Sequence, residues 1–519
     1  MALSIMLQGT SSNVGKSILA AALCRLFYKA GYRVAPFKAQ NMALNSCVTR
    51  DGGEMGRAQV LQAYAAGVEP RVEMNPVLLK PTAPACSQVV VLGRPVGNLG
   101  AKEYHSGYNQ HLLDVVEQAY RCLCREFDVI IIEGAGSPAE VNLKDREIAN
   151  MRVAKMAQAP VLLVADIDRG GALAAVVGTL ELLDPDEREL VAGIIINKFR
   201  GDLELLRPAL EFLEARTGKP VLGVVPYLPD LSLPEEDSVA LEGKVNRNTG
   251  AGQIEIAVVV TPRISNFTDF DPLEREPGVN VRYVTGREPL GQPDLIILPG
   301  SKNTIGDLLF LKSCGKVGEI KKLAALGTPV IGICGGYQML GLEIRDPEGS
   351  EGSDIREIDG LGLLDVVTTF APAKTTYLVE AIVTGSGPFL EPCRGLQVRG
   401  YEIHMGQSRR LNNAGAAFRI KKRGEEAVDL ADGAVAPGGL VLGTYIHGIF
   451  DNDRFRHHVL SALRRRRGLA DVDNGYNFTA DLEVRLDALA QAVGANLDLE
   501  RLAQIMGLPR PLAGVGFGS

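Results

Sequence analysis

Short apolar runs alternate with amphipathic helical stretches through the first half of the chain, and this alternation limits the possible folds more than any other feature. Strands separated by helices form parallel sheets that helices cover on both faces. The pattern therefore predicts an α/β fold with ligand sites at the carboxyl ends of the strands. The predicted strands of this half are residues 4–8, 33–37, 129–133, 161–166, 193–197 and 221–226.

A second α/β unit is predicted after a stretch rich in Pro, Glu, Asp, Asn and Gly, which is typical of a linker. The chain has 519 residues, more than the about 250 to 300 at which single cores stop growing. We expect an N-terminal domain at 1–235, a linker at 236–252, a second domain at 253–455 and a helical tail at 456–519. The predicted strands of the second domain are residues 254–260, 294–299, 329–333 and 441–446.

Composition excludes several classes of protein. The chain is 46% hydrophobic and 23% charged, as in ordinary globular proteins, and its net charge of -7 argues against a nucleic-acid partner. No apolar run approaches the roughly 20 residues of a membrane span, and the start lacks the regions of a signal peptide. We therefore expect a cytoplasmic protein that binds neither nucleic acid nor membrane. The eight cysteines lack paired metal-type spacing, so neither structural zinc nor disulfides are expected.

A glycine-rich loop follows the first predicted strand. Residues 9–17 read Gly-Thr-Ser-Ser-Asn-Val-Gly-Lys-Ser and lead into a predicted helix. Phosphate-binding loops occupy this position, because backbone N–H groups and the helix dipole there face an anion. We predict that Lys16 binds the β and γ phosphates of a nucleotide and that Ser17 is a ligand of Mg²⁺.

A cysteine occupies the turn between a later strand and helix. Cys334 lies in Gly-Ile-Cys-Gly-Gly, and glycine neighbours permit the sharp turn of a nucleophile elbow. The N–H of Gly335 can then stabilise an oxyanion, with a second N–H from about Ser301 in the Pro-Gly-Ser sequence that ends another strand. His447, at the end of the last predicted strand, is the predicted general base.

Each motif resembles a known group of enzymes. The glycine-rich loop has five residues between its glycines, as in the dethiobiotin synthetase group of P-loop proteins. This resemblance implies that Glu133 is a second Mg²⁺ ligand and that Lys38 lies between a substrate carboxylate and the γ-phosphate. It also implies that ATP contacts Gly9, Thr10, Asn13, Gly15, Lys16, Ser17 and Asn197, the last of these at the adenine.

The elbow, the Pro-Gly-Ser loop and the distal histidine occur in the order found in class I glutamine amidotransferases. Those enzymes usually carry His-Pro-Glu, whereas Gly448 and Ile449 follow His447 here. Two alternatives are open: the site is a Cys-His dyad, or another acid such as Glu402 orients the histidine. His404 is expected to be structural or to lie at the domain contact.

Together the two motifs resemble the cobyric acid synthase family of cobalamin assembly. This resemblance implies amidation of the b, d, e and g carboxylates of adenosylcobyrinic acid a,c-diamide, with glutamine as ammonia source and ATP and Mg²⁺ as cofactors. No tightly bound prosthetic group is expected, because the cobalt belongs to the substrate. Asn41, Asp145 and Asp166 are candidates for substrate contact. The stretches that carry the resemblance are residues 37–46, 54–59, 74–81, 263–269 and 401–406.

Two other functions fit the same motifs. The first is the same chemistry on another acid, as in cobyrinic acid a,c-diamide synthases. The second is a non-enzymatic, ParA-like nucleotide switch with an inactive second domain, against which the intact Cys334 and His447 argue. The sequence predicts neither the oligomeric state nor the path of ammonia between the two sites.

Overall fold

The computed structural model of the chain describes residues 2–83, 86–100, 109–228, 231, 233, 253–351, 354–411, 414–471 and 475–512. The predicted linker at 236–252 lies outside the described residues. The described elements form an N-terminal part that ends near Pro226 and a C-terminal part that begins near Ile254.

The N-terminal part alternates strands and helices, as its apolar periodicity predicts. Its helices are α1 (Lys16–Lys29), α2 (Arg57–Ala65), α3 (Asn109–Glu126), α4 (Met151–Ala157), α5 (Ala172–Leu182), α6 (Pro185–Leu190) and α7 (Leu203–Thr217), with 3-10 turns at Val72–Met74 and Lys144–Arg146. Its strands are β1 (Leu3–Gly9), β2 (Val34–Phe37), β3 (Gln40–Met42), β4 (Ser46–Val48), β5 (Glu54–Gly56), β6 (Val77–Ala83), β7 (Cys86–Val91), β8 (Arg94–Gly100), β9 (Val129–Glu133), β10 (Val161–Asp166), β11 (Val191–Phe199) and β12 (Val221–Pro226).

The six predicted strands of this part form one parallel sheet in the order β12-β11-β10-β1-β9-β2. The predicted α/β fold is therefore confirmed. Because β1 lies between β10 and β9, the loops that follow these three strands meet at one edge of the sheet. That edge carries the glycine-rich loop, Glu133 and Asp166.

A smaller sheet, in the order β3-β6-β7-β8, lies between β2 and α3 in the sequence and was not predicted. β3 has only three residues, β6 contains Pro81, and β8 contains Pro95 and Gly97, which weaken the apolar signal of a strand. The two-stranded ladder of β4 and β5 lies in the same region of the chain. This region places Asn41, Glu54 and α2 beside the main sheet.

The C-terminal part contains the second predicted sheet and a long antiparallel hairpin. Its helices are α8 (Asp271–Arg275), α9 (Thr304–Ser313), α10 (Lys316–Ala325), α11 (Gly335–Leu340), α12 (Asp453–Arg466), α13 (Phe478–Gly494) and α14 (Leu499–Met506), with 3-10 turns at Phe267–Phe270, Glu391–Cys393 and Ile449–Asp451. Its strands are β13 (Ile254–Val259), β14 (Ile264–Ser265), β15 (Val279–Val284), β16 (Leu295–Leu298), β17 (Gly300–Ser301), β18 (Val330–Ile333), β19 (Glu343–Arg345), β20 (Glu357–Asp359), β21 (Val366–Val383), β22 (Gln397–Arg410), β23 (Phe418–Arg423), β24 (Glu426–Asp432), β25 (Ala434–Val435) and β26 (Val441–Thr444).

The four predicted strands of this part are β13, β16, β18 and β26, and they lie side by side in the order β15-β13-β16-β18-β26-β25. Strand β15 was missed, because Asn280 and Arg282 interrupt its apolar run. The central position of β18 puts Cys334 between the loops that follow β16 and β26. Ser301 and His447 lie in those two loops.

The hairpin of β21 and β22 belongs to a separate sheet with β19, β20, β23 and β24. Residues of β22 also join the two parts of the chain, since Tyr401 and Ile403 pack in the apolar cluster that contains Met6 and Phe37. The two parts therefore share a packed contact.

The last helices fold back on the N-terminal part. Leu486, Leu489 and Val493 of α13, which recur at helical spacing, are fully buried in one apolar cluster with α1. Arg25 of α1 donates to Glu483 and Asp487 of α13, at 2.6 Å in each case. The helical end of the chain thus completes the N-terminal part.

Replacement of Leu489 by alanine is expected to destabilise the protein by about 2 to 5 kcal/mol, because it leaves a cavity between α13 and α1. The check is the change in free energy of unfolding in urea. Val484→Ala is a matched control on the same helix, since Val484 is 67% exposed. Equal losses from the two variants would contradict the assignment of Leu489 to the core.

Candidate active site

The glycine-rich loop lies between β1 and α1. Asn13 (φ 59°) and Gly15 (φ 97°) both have left-handed backbone conformations. Left-handed residues in a turn direct successive N–H groups into a concavity that binds anions. Lys16 Nζ donates to the carbonyl oxygens of Ser11 at 3.1 Å and Gly136 at 3.0 Å, so its ammonium group lies over the loop.

The loop is too tightly packed for side chains at its two glycines. A Cβ atom on Gly9 would lie 2.8 Å from Lys16 Nζ, and one on Gly15 would lie 2.2 Å from Asn197 Nδ2. The amide of Asn197 donates to the carbonyl oxygen of Val14 at 2.8 Å. Asn197 thus supports the loop in this structure, and its contact with adenine stays a prediction. The N–H of Thr10, by its bond to β10, ties the loop to the sheet.

Glu133 is the centre of this site. Its side chain is 1% exposed, and its Oε1 accepts from Ser17 Oγ and from Lys38 Nζ, each at 2.8 Å. Its Oε2 accepts from Gln62 at 2.7 Å and from Gln59 at 3.3 Å. Hydroxyl and carboxylate oxygens are the ligands that Mg²⁺ prefers, so adjacent oxygens of Ser17 and Glu133 fit this ion.

The charge of Glu133 is stabilised by its surroundings. Burial alone would raise the pKa of its carboxyl group, because a charge is disfavoured away from water. The ammonium group of Lys38, with hydrogen bonds from Lys38, Gln62 and Ser17, outweighs burial and lowers the pKa below its usual value. The carboxylate is therefore ionised at neutral pH and can bind a cation.

The three candidates for substrate contact have different surroundings. Asn41 Nδ2 donates to Gln59 Oε1 at 2.9 Å, which joins it to the Glu133 network. Asp166 accepts from Lys198 Nζ at 2.8 Å, and the same ammonium group donates to a carbonyl oxygen of the glycine-rich loop. The side chain of Asp145 lies outside the described residues.

Cys334 forms the predicted elbow between β18 and α11. Its φ of 50° and ψ of −106° are rare for a residue with a side chain, and such strain is typical of nucleophile elbows. A Cβ atom on Gly336 would lie 2.0 Å from the carbonyl oxygen of Leu298, so only glycine fits there. The Cβ position of Gly335 lies 2.8 Å from the backbone nitrogen of Ser301. The two predicted oxyanion donors, Gly335 and Ser301, are thus neighbours at the elbow.

His447 lies between Cys334 and an acid that the sequence analysis did not identify. Its Nδ1 is 2.7 Å from Oδ2 of Asp269, and Asp269 Oδ1 accepts from the N–H of Gly448 at 2.9 Å. The Cys334 side chain lies close enough to His447 to raise the pKa of the imidazole, and its thiol donates to the carbonyl oxygen of Ile403 at 3.4 Å. The ring of Tyr401 stacks on the imidazole with centroids 5.2 Å apart. Cys334, His447 and Asp269 therefore form a buried triad.

The imidazole of His447 is strongly basic in this position. Burial lowers its pKa, but the charge of Asp269, the hydrogen bond to Asp269 and the contact with Cys334 outweigh burial and raise it to about 10. At neutral pH His447 is then an imidazolium beside the sulfur. A cysteine paired with a cationic histidine is the usual form of an activated thiol nucleophile.

Glu402 has other partners. Both of its oxygens accept from the guanidinium group of Arg423, at 2.8 and 3.0 Å, and one lies 3.5 Å from His404 Nε2. The imidazole of His404 stacks on Tyr445 with centroids 3.8 Å apart, which is a packing contact. The structure therefore places Asp269, and not Glu402, against His447.

Sequence signals existed for the residues that were missed. Asp269 ends the stretch Arg263–Asp269, which carried part of the family resemblance, but it is 178 residues away from His447 along the chain. Gln59 ends another such stretch, and Gln62 follows it by three residues, on the same face of α2. Residue spacing could not assign partners to them.

Comparisons with known proteins assign a family to each of the two parts of the chain. Residues 5–240 match the family described as "CobQ/CobB/MinD/ParA nucleotide binding domain", and residues 255–455 match "CobB/CobQ-like glutamine amidotransferase domain". A cobyric acid synthase of Moorella thermoacetica is 68% identical and that of Pelotomaculum thermopropionicum is 61% identical, covering 99% and 98% of both chains. This chain belongs to the cobyric acid synthase family.

Family membership confirms the predicted enzyme class. A cobyric acid synthase of Yersinia enterocolitica is still 52% identical over 98% of both chains. The chain is thus an ATP-dependent glutamine amidotransferase, with a nucleotide-binding domain and an amidotransferase domain in that order. Among the described helices, none is both long and apolar enough to cross a bilayer.

Replacement of Asp269 by asparagine is expected to lower kcat/KM for glutamine hydrolysis by about 10²- to 10⁴-fold, because His447 loses the acid that orients it. The pKa of His447 would fall towards its usual value of about 6.5. Since the imidazolium is then lost at lower pH, the alkaline limb of the rate profile should move to lower pH. Glutamate release measured across pH is the check.

Glu402→Gln is the matched comparison for Asp269→Asn, because each variant removes one buried negative charge near β22. Glu402→Gln should lose far less glutaminase activity than Asp269→Asn, and the alkaline limb of its pH–rate profile should not move. The opposite ranking of the two variants would mean that Glu402 orients His447.

Proposed function

We propose that this protein amidates the b, d, e and g carboxylates of adenosylcobyrinic acid a,c-diamide and so produces cobyric acid for cobalamin biosynthesis. Each amide would consume one glutamine and one ATP. The observation that carries the proposal is the presence of a phosphate site and a Cys-His-Asp triad in one chain, whose relatives of matching length are cobyric acid synthases.

Ammonia would be released at the triad. The sulfur of Cys334 attacks the side-chain amide carbon of glutamine, and the N–H groups of Gly335 and Ser301 stabilise the oxyanion. The imidazolium of His447 donates its proton to the departing ammonia, which leaves a glutamyl thioester on Cys334. Neutral His447 then takes a proton from a water molecule as the oxygen of that water attacks the thioester carbon. Glutamate and the thiolate of Cys334 are released, so that the thiolate and the imidazolium are again paired.

The acceptor carboxylate would be activated at the glycine-rich loop. A carboxylate is a poor electrophile, and transfer of the γ-phosphoryl group of ATP to it makes an acyl phosphate with a good leaving group. Lys16 would hold the β and γ phosphates, and Lys38, fixed by Glu133, would neutralise charge on the transferred group. Mg²⁺, held by Ser17 and Glu133, supplies further charge neutralisation when bound. Ammonia then displaces phosphate from the acyl carbon.

The division of labour explains why both domains occur in one chain. Free ammonia is mostly protonated at neutral pH, and ammonium has no lone pair to attack a carbonyl carbon. Release of ammonia in a buried site, followed by transfer between the domains, keeps it unprotonated. The proposal assigns phosphorylation to residues 1–235 and glutamine hydrolysis to residues 253–455. It places the enzyme in the cytoplasm, where ATP and glutamine are available. All of its proposed substrates are small molecules.

Cys334→Ala is expected to abolish glutamine-dependent amidation and to retain ammonia-dependent amidation at high pH, because only the ammonia source is lost. The measurement is amide formation with glutamine or with ammonium salt. Cys314→Ala is a control in the same domain, since Cys314 is also a free cysteine but lies outside the triad. Loss of both routes in a folded Cys334→Ala protein would refute the division of labour.

The acceptor is tested by incubation with Mg-ATP, glutamine and a panel of corrinoid acids, with amides counted by mass spectrometry. Adenosylcobyrinic acid a,c-diamide should gain four amides. Amidation only of cobyrinic acid, which lacks the a and c amides, would instead support the alternative of an a,c-diamide-forming enzyme. A nucleotide switch would show neither glutaminase activity nor amides.

A further inference from the structure

One segment of the nucleotide-binding domain contacts both Glu133 and the start of the turn that carries Asp269. The segment Asn41–Gln62 runs from β3 through β4 and β5 to α2. At the end of the segment, Gln59 and Gln62 donate to Glu133 at 3.3 and 2.7 Å, and Asn41 at its start donates to Gln59 at 2.9 Å. Both ends of the segment therefore belong to the site where the acceptor would be phosphorylated.

The middle of the segment lies against the amidotransferase domain. Ser46 N–H donates to Asn266 Oδ1 at 3.0 Å, and Phe267 N–H donates to Asn45 Oδ1 at 3.2 Å. Asn45 is fully buried and Asn266 is 3% exposed, so water cannot readily replace either side chain as the acceptor. Loss of an acceptor would leave a buried N–H group unsatisfied, which is costly.

These two bonds hold the start of the turn that carries Asp269. Asn266 has a left-handed backbone (φ 53°), which asparagine adopts more readily than most residues. The 3-10 turn Phe267–Phe270 begins directly after it, and Asp269 of that turn accepts from His447 and Gly448. A shift of this turn would move the acid away from the imidazole.

Asn45 also holds the start of α2. Its carbonyl oxygen accepts from the N–H of Arg57, the first residue of the helix, at 3.2 Å. One residue thus binds the helix that contacts Glu133 and, through its side chain, the turn that contacts His447. The neighbouring Ser46 is fixed in turn, since its hydroxyl donates to Glu54 at 2.7 Å and accepts from Lys80 at 2.8 Å.

We propose that Asn45 of the nucleotide-binding domain is a positioning residue of the glutamine-hydrolysing triad, acting through Phe267 and Asp269. The position of Asp269 against His447 then depends on the other domain. The proposal rests on the glutaminase part of the function proposed above and is independent of the identity of the acceptor.

The test compares Asn45→Ala and Asn45→Asp in the full-length protein. Glutamate release from glutamine alone is measured across pH, and ATP affinity is measured by titration with a fluorescent nucleotide. Asn45→Ala should lower kcat for glutamine by about 10- to 100-fold, less than the about 10²- to 10⁴-fold of a full general acid-base contribution, because Asp269 is displaced and not removed. The alkaline limb of the pH–rate profile of Asn45→Ala should move to lower pH, as it should in Asp269→Asn. Asn45→Asp should restore kcat and the profile, because its carboxylate can still accept from Phe267.

A control variant separates this effect from general loosening of the domain contact. Arg50 donates to Glu425 across the same contact at 3.0 Å, through exposed side chains. Glu425→Ala should leave glutaminase activity and the pH profile unchanged. An unchanged Asn45→Ala enzyme would overturn the proposal, and so would an equal loss of glutaminase activity and ATP affinity in both Asn45 variants. A wrong acceptor would alter amide formation but none of these measurements.

Discussion

The ion pair of Glu133 and Lys38 is the interaction on which the nucleotide-binding domain depends. A buried carboxylate without partners would be strongly destabilising, whereas four donors here leave it ionised and fixed. Those donors lie in α1, directly after β2 and in α2, so one side chain holds together the start of the helix after the phosphate-binding loop, the end of a neighbouring strand and the helix next to the other domain. The positions of these three elements therefore depend on the charge of Glu133.

Much of the fold follows from apolar periodicity. The ten predicted strands are all present, because buried parallel strands are continuous apolar runs that end in glycine-rich or polar loops. The elbow and the glycine-rich loop were predictable for a related reason. Both require glycine at fixed positions between a strand and a helix, and close contacts at Gly15 and Gly336 show the steric cause.

Elements and residues outside this pattern were not predictable. The long hairpin of β21 and β22 alternates buried and exposed residues and carries many charges, so no apolar run marks it. Asp269 meets His447 only because β13 and β26 belong to one sheet with β16 and β18 between them, and the loop after β13 reaches across. Partners such as these are set by strand order, which local sequence does not encode.

The contact between the domains also limits how they can be recombined. Glu54 of the nucleotide-binding domain is buried and accepts from Lys80 and, across the contact, from Lys374. Burial would raise the pKa of Glu54, but the two ammonium groups more than reverse this and lower it. An amidotransferase domain taken from another protein would leave this carboxylate short of a cation unless it brought its own lysine. Engineered chimeras must therefore exchange Glu54 and Lys374 together.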